Sequence, residues 1–319
     1  MEALDDLLGG MTLSGAVFLD AEFTAPWCIA SKVAETDLEP FGARPAHLIA
    51  YHYVVEGALS IEAHGAPPAT ARAGDVLVAP RNDAHVLGSG PGLKPLDGDS
   101  LVEPADAEGI ARIRCGGGGE RCRILCGFLG AEEAGHPLLE SLPVLLKLSL
   151  DAASAGAWVE GSMRYAAREL ASGGAGAYVS LNRLAELLFA EAVREYMRSM
   201  PDDAGGWIAG LRDPHVGRAL ALIHRSPDSG WTLETLAAKA GIGRSALVER
   251  FGRHVGVSPM RYLTRHRLRA AAERLRSGRT SVAEAGYAAG YASEAAFSRA
   301  FKREFGRSPG AWRAGAERR

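Results

Sequence analysis

Two sets of residues in this chain have the types and spacing to do chemistry. The first is His52, His85 and Cys126, which fall on three separate β-prone runs and can converge only if those runs share one barrel or sandwich. A thiol beside an imidazole can have a lowered pKa and react with oxidants. The same three donors are acceptable ligands for zinc or another divalent metal. They also fit plain packing, because a free Cys behaves as a small buried hydrophobe and barrel histidines are often simply hydrogen-bonded. Trp27 and Cys28, just after Pro26, are placed to close one end of such a barrel. The second set is polar and basic and lies near the C-terminus. Arg244, Ser245, Val248 and Glu249 fall on the exposed side of one predicted helix, and Glu294, Ala295, Ser298 and Arg299 on that of another. Arg can read guanine and Glu can read cytosine in a major groove. Arg253, Lys302 and Arg303 suit phosphates, which supply affinity and salt dependence without reading sequence.

The second set is positioned by a duplicated unit. Residues 251–262, FGRHVGVSPMRY, and 301–312, FKREFGRSPGAW, match at an offset of 50 through Phe251/Phe301, Gly256/Gly306, Ser258/Ser308, Pro259/Pro309 and Tyr262/Trp312. Such a match marks an internal repeat. Each unit opens with a short helical run rich in small residues, LETLAAKAG or SVAEAGYAAG, whose Ala237, Ala240 and Gly241, or Ala285, Ala289 and Gly290, permit a close helix crossing. A break at Ile242-Gly243 or Tyr291-Ala292 precedes a second helix, with Leu247, Phe251 and Val255, or Phe297, Phe301 and Phe305, at helical spacing. Thr232 and Ser281 are N-cap residues in type, and Gly256 and Gly306 are stop signals. Helix, tight turn, helix is the helix-turn-helix plan.

The segment GYASEAAFSRAFKREFGRSPGAWR and its tandem partner resemble the DNA-binding domain of AraC-type transcription regulators, over roughly residues 215–315. The resemblance implies two recognition helices in successive major grooves, joined by a long connector at 260–276. Double-stranded DNA and RNA polymerase are the partners it implies.

Charge agrees with a division of labour. The chain has 36 Lys+Arg against 38 Asp+Glu, a net of −2. Residues 215–319 hold 20 Lys+Arg and 8 Asp+Glu, a net of +12, which leaves −14 on residues 1–214. A basic module of this kind suits a polyanionic partner, and the acidic part is expected to be kept off the duplex.

The first set needs β-structure. Residues 47–65 read as two strands with a bend or bulge at Glu56-Gly57, and 70–88 as a turn at Gly74-Asp75, a strand over Val76–Ala79, a break at Pro80 and a short strand. Residues 122–129 form another strand, with His52 on the opposite strand face from Tyr51 and Tyr53. The stretch 88–121 reads as mobile or disordered, with Cys115 and Cys122 flanking an exposed Gly-rich loop. Many short strands point to a sandwich or barrel. GDVLVAPRNDAH resembles the second cupin motif through Gly74, Pro80 and His85, and LLGGMTLSGAVFLDAEFTAPW is similar to cupin domains fused to AraC-type DNA-binding domains. Counting back from Gly57, the Glu of the first cupin motif falls at Ala50, and the His-x-His pair is absent: His47 and His52 are out of register. A sensor of a small effector or oxidant is therefore expected rather than an oxygenase.

Residues 137–212 return to helical periodicity, with helices at 158–171 and 178–200. Leu181, Leu184, Leu188, Ala192 and Glu195 to Tyr196 trace a stripe that suits packing on the barrel or a homodimer seam. The expected architecture is multidomain α+β: a cupin-like β-barrel (a double-stranded β-helix) over 1–135, a helical linker or dimerisation segment over 136–212, and an all-α tandem helix-turn-helix domain over 213–319. Short apolar runs exclude a membrane span, and an acidic start with four cysteines points to the cytoplasm rather than secretion. The rival readings are a metal-dependent cupin enzyme with a basic tail, and a nonspecific nucleic-acid-binding protein.

Overall fold

The computed structural model describes the chain apart from residues 1, 10, 12, 35–36, 39–44, 104–110, 134, 151–176, 202–203, 277, 279 and 317–319. The helix expected at 158–171 lies outside the described residues. The chain divides into two compact units, one of residues 12–199 and one of residues 1–11 with 200–319.

The first helix, α1 (Glu2–Gly9), belongs to the second of these units. The β-rich unit begins with β1 (Leu13–Thr24), β2 (Cys28–Ser31), β3 (His47–Glu56), β4 (Ala58–Ala63), β5 (Ala69–Arg72), β6 (Asp75–Ala79) and β7 (His85–Gly88). It continues through β8 (Leu96–Asp97), β9 (Ala111–Gly116), β10 (Arg121–Ala131), α2 (Pro137–Ser141), β11 (Leu146–Ser149) and α3 (Ala177–Ser199). One sheet runs β11-β6-β3-β10-β1-β9 and the other β5-β4-β7-β2-β8. Alternation along each strand sends one face inward. Leu19, Ala21 and Phe23 of β1 meet Ile29, Val54, Leu59, Ile61, Leu77, Leu87, Ile113 and Ile124 in a single apolar core. This is the cupin barrel.

The bend at Glu56-Gly57 has a structural cause. The β3–β10 register shifts so that Arg123 faces Glu56 while Ile124 faces Val54, which turns Glu56 outward as a bulge does. Gly57 has φ +78°, and a Cβ there would sit 2.1 Å from the Arg121 carbonyl oxygen, so only glycine fits.

Two expectations need correction. Part of the 88–121 stretch is built into the sheets, because β8 pairs parallel with β2 and β9 pairs parallel with β1. Cys122 is accordingly buried in the core, and Cys115 packs against it half-buried. Within 137–212, residues 146–149 form a strand rather than a helix: Leu146 and Leu148 alternate inward while β11 pairs with β6. The helix expected at 178–200 is present as α3. Its Leu184, Leu188, Phe189, Ala192 and Val193 are buried within the unit, where α3 packs across β1, β10 and β11. Each such Leu or Phe contributes about 1.5–3 kcal/mol by leaving water, so Leu184, Leu188 and Ala192 of the stripe are already used inside the unit.

In the helical unit, α1 packs on α5 (Pro214–Arg225), which follows α4 (Trp207–Arg212). Leu4 and Leu7 are buried, Asp6 pairs with Arg225 at 3.4 Å, and Gly217 leaves room: a Cβ there would meet the Ala3 Cβ at 3.1 Å. The chain goes on through α6 (Leu233–Ala240), α7 (Arg244–Val255), α8 (Pro259–Arg276), α9 (Val282–Ala288), α10 (Glu294–Phe305) and α11 (Pro309–Ala316). Thr232 and Ser281 each close a capping box at the start of α6 and α9. Gly256 and Gly306, in the left-handed region at φ +78° and +73°, end α7 and α10. The repeated Ser-Pro then starts α8 and α11, as proline in a first helical turn does.

Candidate nucleic-acid interface and barrel core

Both helix-turn-helix units are built the same way. In the first, Leu247 and Phe251 of α7 are fully buried, with Leu236 and Ala237 of α6. In the second, Phe297 and Phe301 of α10 pack with Ala285 of α9 and with Leu268 and Leu275 of α8. Gly286 allows that crossing, since a Cβ would touch the Phe297 side chain at 3.0 Å. Trp312 packs against the same cluster and donates from Nε1 to the Ala272 carbonyl at 3.3 Å.

With those faces buried, α7 exposes Arg244, Ser245, Val248, Glu249 and Arg253. Helix α10 exposes Glu294, Ala295, Arg299, Lys302 and Arg303, with Ser298 half-buried. Each set shares a helix face, as recognition positions must. The charges on the two helices are not equivalent. Arg244 donates to Glu234 of α6 at 2.7 Å, Arg253 to Glu249 at 2.8 Å, and Arg250 to Asp213 at 3.2 Å. The Arg244 guanidinium holds the Glu234 carboxyl below its usual range. On α10, Glu304 is engaged by Arg265 at 2.6 Å, whereas Arg299, Lys302 and Arg303 enter no ion pair or side-chain hydrogen bond among the described residues. Glu234 was not singled out from sequence, although its place ten residues before Arg244 was visible.

In the barrel, His52 and Cys126 are direct cross-strand neighbours on β3 and β10, and His85 reaches them from β7 of the other sheet. His52 Nδ1 lies 3.0 Å from Cys126 Sγ, and His52 Nε2 lies 2.7 Å from His85 Nε2. His85 Nδ1 is 2.8 Å from the Asp83 carbonyl oxygen. A carbonyl only accepts, so Nδ1 of His85 carries the proton and its Nε2 accepts. His52 Nε2 must then donate, which leaves its Nδ1 to accept from the Cys126 thiol. The chain is neutral throughout. Burial, with a smaller effect from His85, pushes the His52 pKa well below its ordinary value, and burial lowers that of His85 too. Burial, helped by Asp20 and Cys122, pushes the Cys126 thiol well up. Burial and Glu56 raise Cys122 to about 11, and burial and Glu62 raise Cys28.

This corrects two expectations. The histidine does not lower the thiol pKa, because desolvation of a fully buried sulfur outweighs a neutral partner. Nor do His52, His85 and Cys126 converge on one point: sulfur and His85 approach opposite nitrogens of the His52 ring. No group of three or more His, Cys, Asp or Glu among the described residues is placed to hold a metal ion. Trp27 stacks on Phe23 at 4.0 Å and shares the core with Cys126. Cys28 is buried but alternates with core residue Ile29, on the other face of β2.

Comparison with known proteins agrees with both units. A cupin family profile matches residues 2–198, and a helix-turn-helix domain profile matches residues 236–315. An AraC-like transcription regulator of Streptomyces lividans is 33% identical over 242 residues, 76% of this chain and 78% of that one. The RCS-specific HTH-type transcriptional activator RclR of Escherichia coli is 27% identical, over 73% of each chain. The solved DNA-binding domain of AdpA, the global transcriptional factor, in complex with a target DNA, is 31% identical over 33% of this chain and 95% of that one, with a TM-score of 0.31. The chain belongs to the AraC-like transcription regulators, with an N-terminal cupin domain and a C-terminal DNA-binding helix-turn-helix domain.

Proposed function

We propose that the chain is a sequence-specific regulator whose cupin-like domain senses a small effector or oxidant and alters DNA binding in response. The observation that carries the DNA half is the pair of recognition helices, each with one face locked in a core and the other lined by polar and basic side chains. In this reading Arg244, Ser245, Val248, Glu249, Glu294, Ala295, Ser298 and Arg299 face base edges, and Arg253, Lys302 and Arg303 face phosphates. RNA polymerase is the further partner, and the protein works in the cytoplasm by binding rather than turnover. Its active form is a homodimer joined by a surface other than the buried stripe of α3, which doubles the contact with DNA.

The sensing half is supported by the His85–His52–Cys126 chain, a buried polar path beside the apolar core of the barrel. In an opened conformer of the barrel, where Cys126 reaches water and can ionise, its thiolate attacks hydrogen peroxide: the S–O bond forms, the O–O bond breaks, and the released hydroxide takes up the thiol proton, leaving sulfenic acid and water. The added oxygen enlarges a buried side chain that touches His52 and would shift the populations of barrel conformers.

Selection of bound duplexes from a random pool, with and without peroxide, tests both halves. One enriched site, preferred by ~10³-fold or more at physiological salt, is expected, and no enrichment would remove the regulator reading. Cys126→Ser should lose any oxidant response. A response that persists in this variant would take Cys126 out of the sensing role.

A further inference from the structure

The charge pattern on the first recognition helix differs in kind from that on the second, and the difference bears on how DNA specificity is achieved. A positive residue adds nonspecific affinity when it is free to displace counterions from phosphates. Arg299, Lys302 and Arg303 of α10 are free among the described residues. Every arginine of α7 is held by a carboxylate of this chain: Arg244 by Glu234, Arg250 by Asp213 and Arg253 by Glu249. Asp213 also caps α5, accepting from the His215 and Val216 amides at 2.9 and 3.0 Å, so the Arg250 pair is part of the fold. The other two pairs are solvent-exposed: Arg244 and Glu234 at 64% and 59%, Arg253 and Glu249 at 66% and 71%. Exposed pairs open at little cost.

We propose that Glu249 and Glu234 are specificity-determining residues, acting as carboxylate clasps that keep Arg253 and Arg244 off the phosphates of nonspecific DNA and open at the cognate site. On a random duplex a glutamate near the backbone is repelled by phosphate, and its arginine stays compensated. At a site presenting a cytosine N4 amino group, Glu249 gains a donor in the major groove and releases Arg253 to a phosphate or a guanine. The second motif then supplies most of the salt-dependent anchoring, and the first acts as the filter. This rests on the DNA-binding reading of the helix-turn-helix units.

The test measures binding of the full-length protein to its selected duplex and to a random duplex across salt concentrations. Glu249→Gln should tighten random-duplex binding by about 2- to 5-fold and steepen the salt slope by about 0.9, the value of one added phosphate contact. Glu234→Gln should act alike through Arg244. The ratio of specific to random affinity should fall in both. Asp228→Asn, which removes one exposed negative charge with no arginine attached, is the control and should leave the slope unchanged. Arg253→Gln should scarcely alter random binding on its own but should reverse the gain in the Glu249→Gln background. Unchanged slopes in both glutamate variants, or an equal effect from Asp228→Asn, would overturn the clasp. A wild-type protein with no preference over random DNA would instead overturn the regulator reading.

Discussion

His266 on α8 should make the helical unit lose stability in mild acid. Its ring is 7% exposed, its Nδ1 has no hydrogen-bond partner among the described residues, and it lies against His224 with ring centroids 4.3 Å apart. Burial lowers its pKa to about 4 from 6.5, with Arg269 and Arg267 adding to the shift and Asp228 opposing it. Between those two values the unfolded chain holds the proton and the folded chain does not, so stability falls as pH falls through that window. A shift of about 2.5 units is worth about 3.4 kcal/mol in full, at about 1.4 kcal/mol per unit. Between pH 7.5 and pH 5 the linkage relation gives a loss of about 2 kcal/mol, because at pH 5 the unfolded histidine is nearly all charged and the folded one nearly all neutral. Native-state hydrogen exchange of α8 amides in the full chain, corrected for intrinsic rates, measures this opening free energy locally. His266→Phe keeps a ring of similar size and removes the titration. The wild type should lose about 2 kcal/mol more than the variant over this pH interval. An equal loss in the two proteins would refute the assignment, since the pH dependence would then arise elsewhere.

Two further outcomes follow from the same geometry. Asp213→Ala removes both the cap of α5 and the partner of Arg250, and should cost about 1–2 kcal/mol in denaturant midpoint analysis. Arg299→Ala should relax preference at one base position in a selection experiment, whereas Lys302→Ala should weaken all duplexes alike and flatten the salt slope by about 0.9.

The helical unit was legible because its signals are local. Thr232 and Ser281 start helices through contacts three residues away, Gly256 and Gly306 stop them through their own φ, and the 3.6-residue spacing of Phe297 and Phe301 fixes the buried face. The barrel was legible where strands neighbour each other in sequence, as β3 and β4 do across Gly57. It was not where pairing is long-range. Nothing local to ARIRCG tells that it lies parallel to β1, some ninety residues earlier, and LKLS is too short to show a period of two inside an apolar stretch. Alternation tells which strand face His52 occupies, but not that the β3–β10 register sets it against Cys126, 74 residues on. The protonation pattern was not legible either, because it depends on the Asp83 carbonyl, a backbone atom that no side-chain pattern reveals.

The charge division also takes a different form once structural units replace a cut in the sequence. The helical unit includes the acidic residues of 1–11 and 200–214, so it carries 21 Lys+Arg against 14 Asp+Glu, a net of +7, and the β-rich unit carries −9. Many of its arginines are then committed to the fold. Arg225 pairs with Asp6 and Arg265 with Glu304, Arg267 donates to the Pro227 and Ser229 carbonyls, and Arg276 lies over the Trp312 ring. A net of +12 would suggest a surface that attracts any polyanion. On the two helices themselves the cations differ in kind among the described residues, free on α10 and compensated on α7, and that difference favours discrimination over bulk attraction. A protein built only to coat nucleic acid gains nothing from glutamates on its reading helix, whereas a regulator that must ignore most of the DNA it meets does.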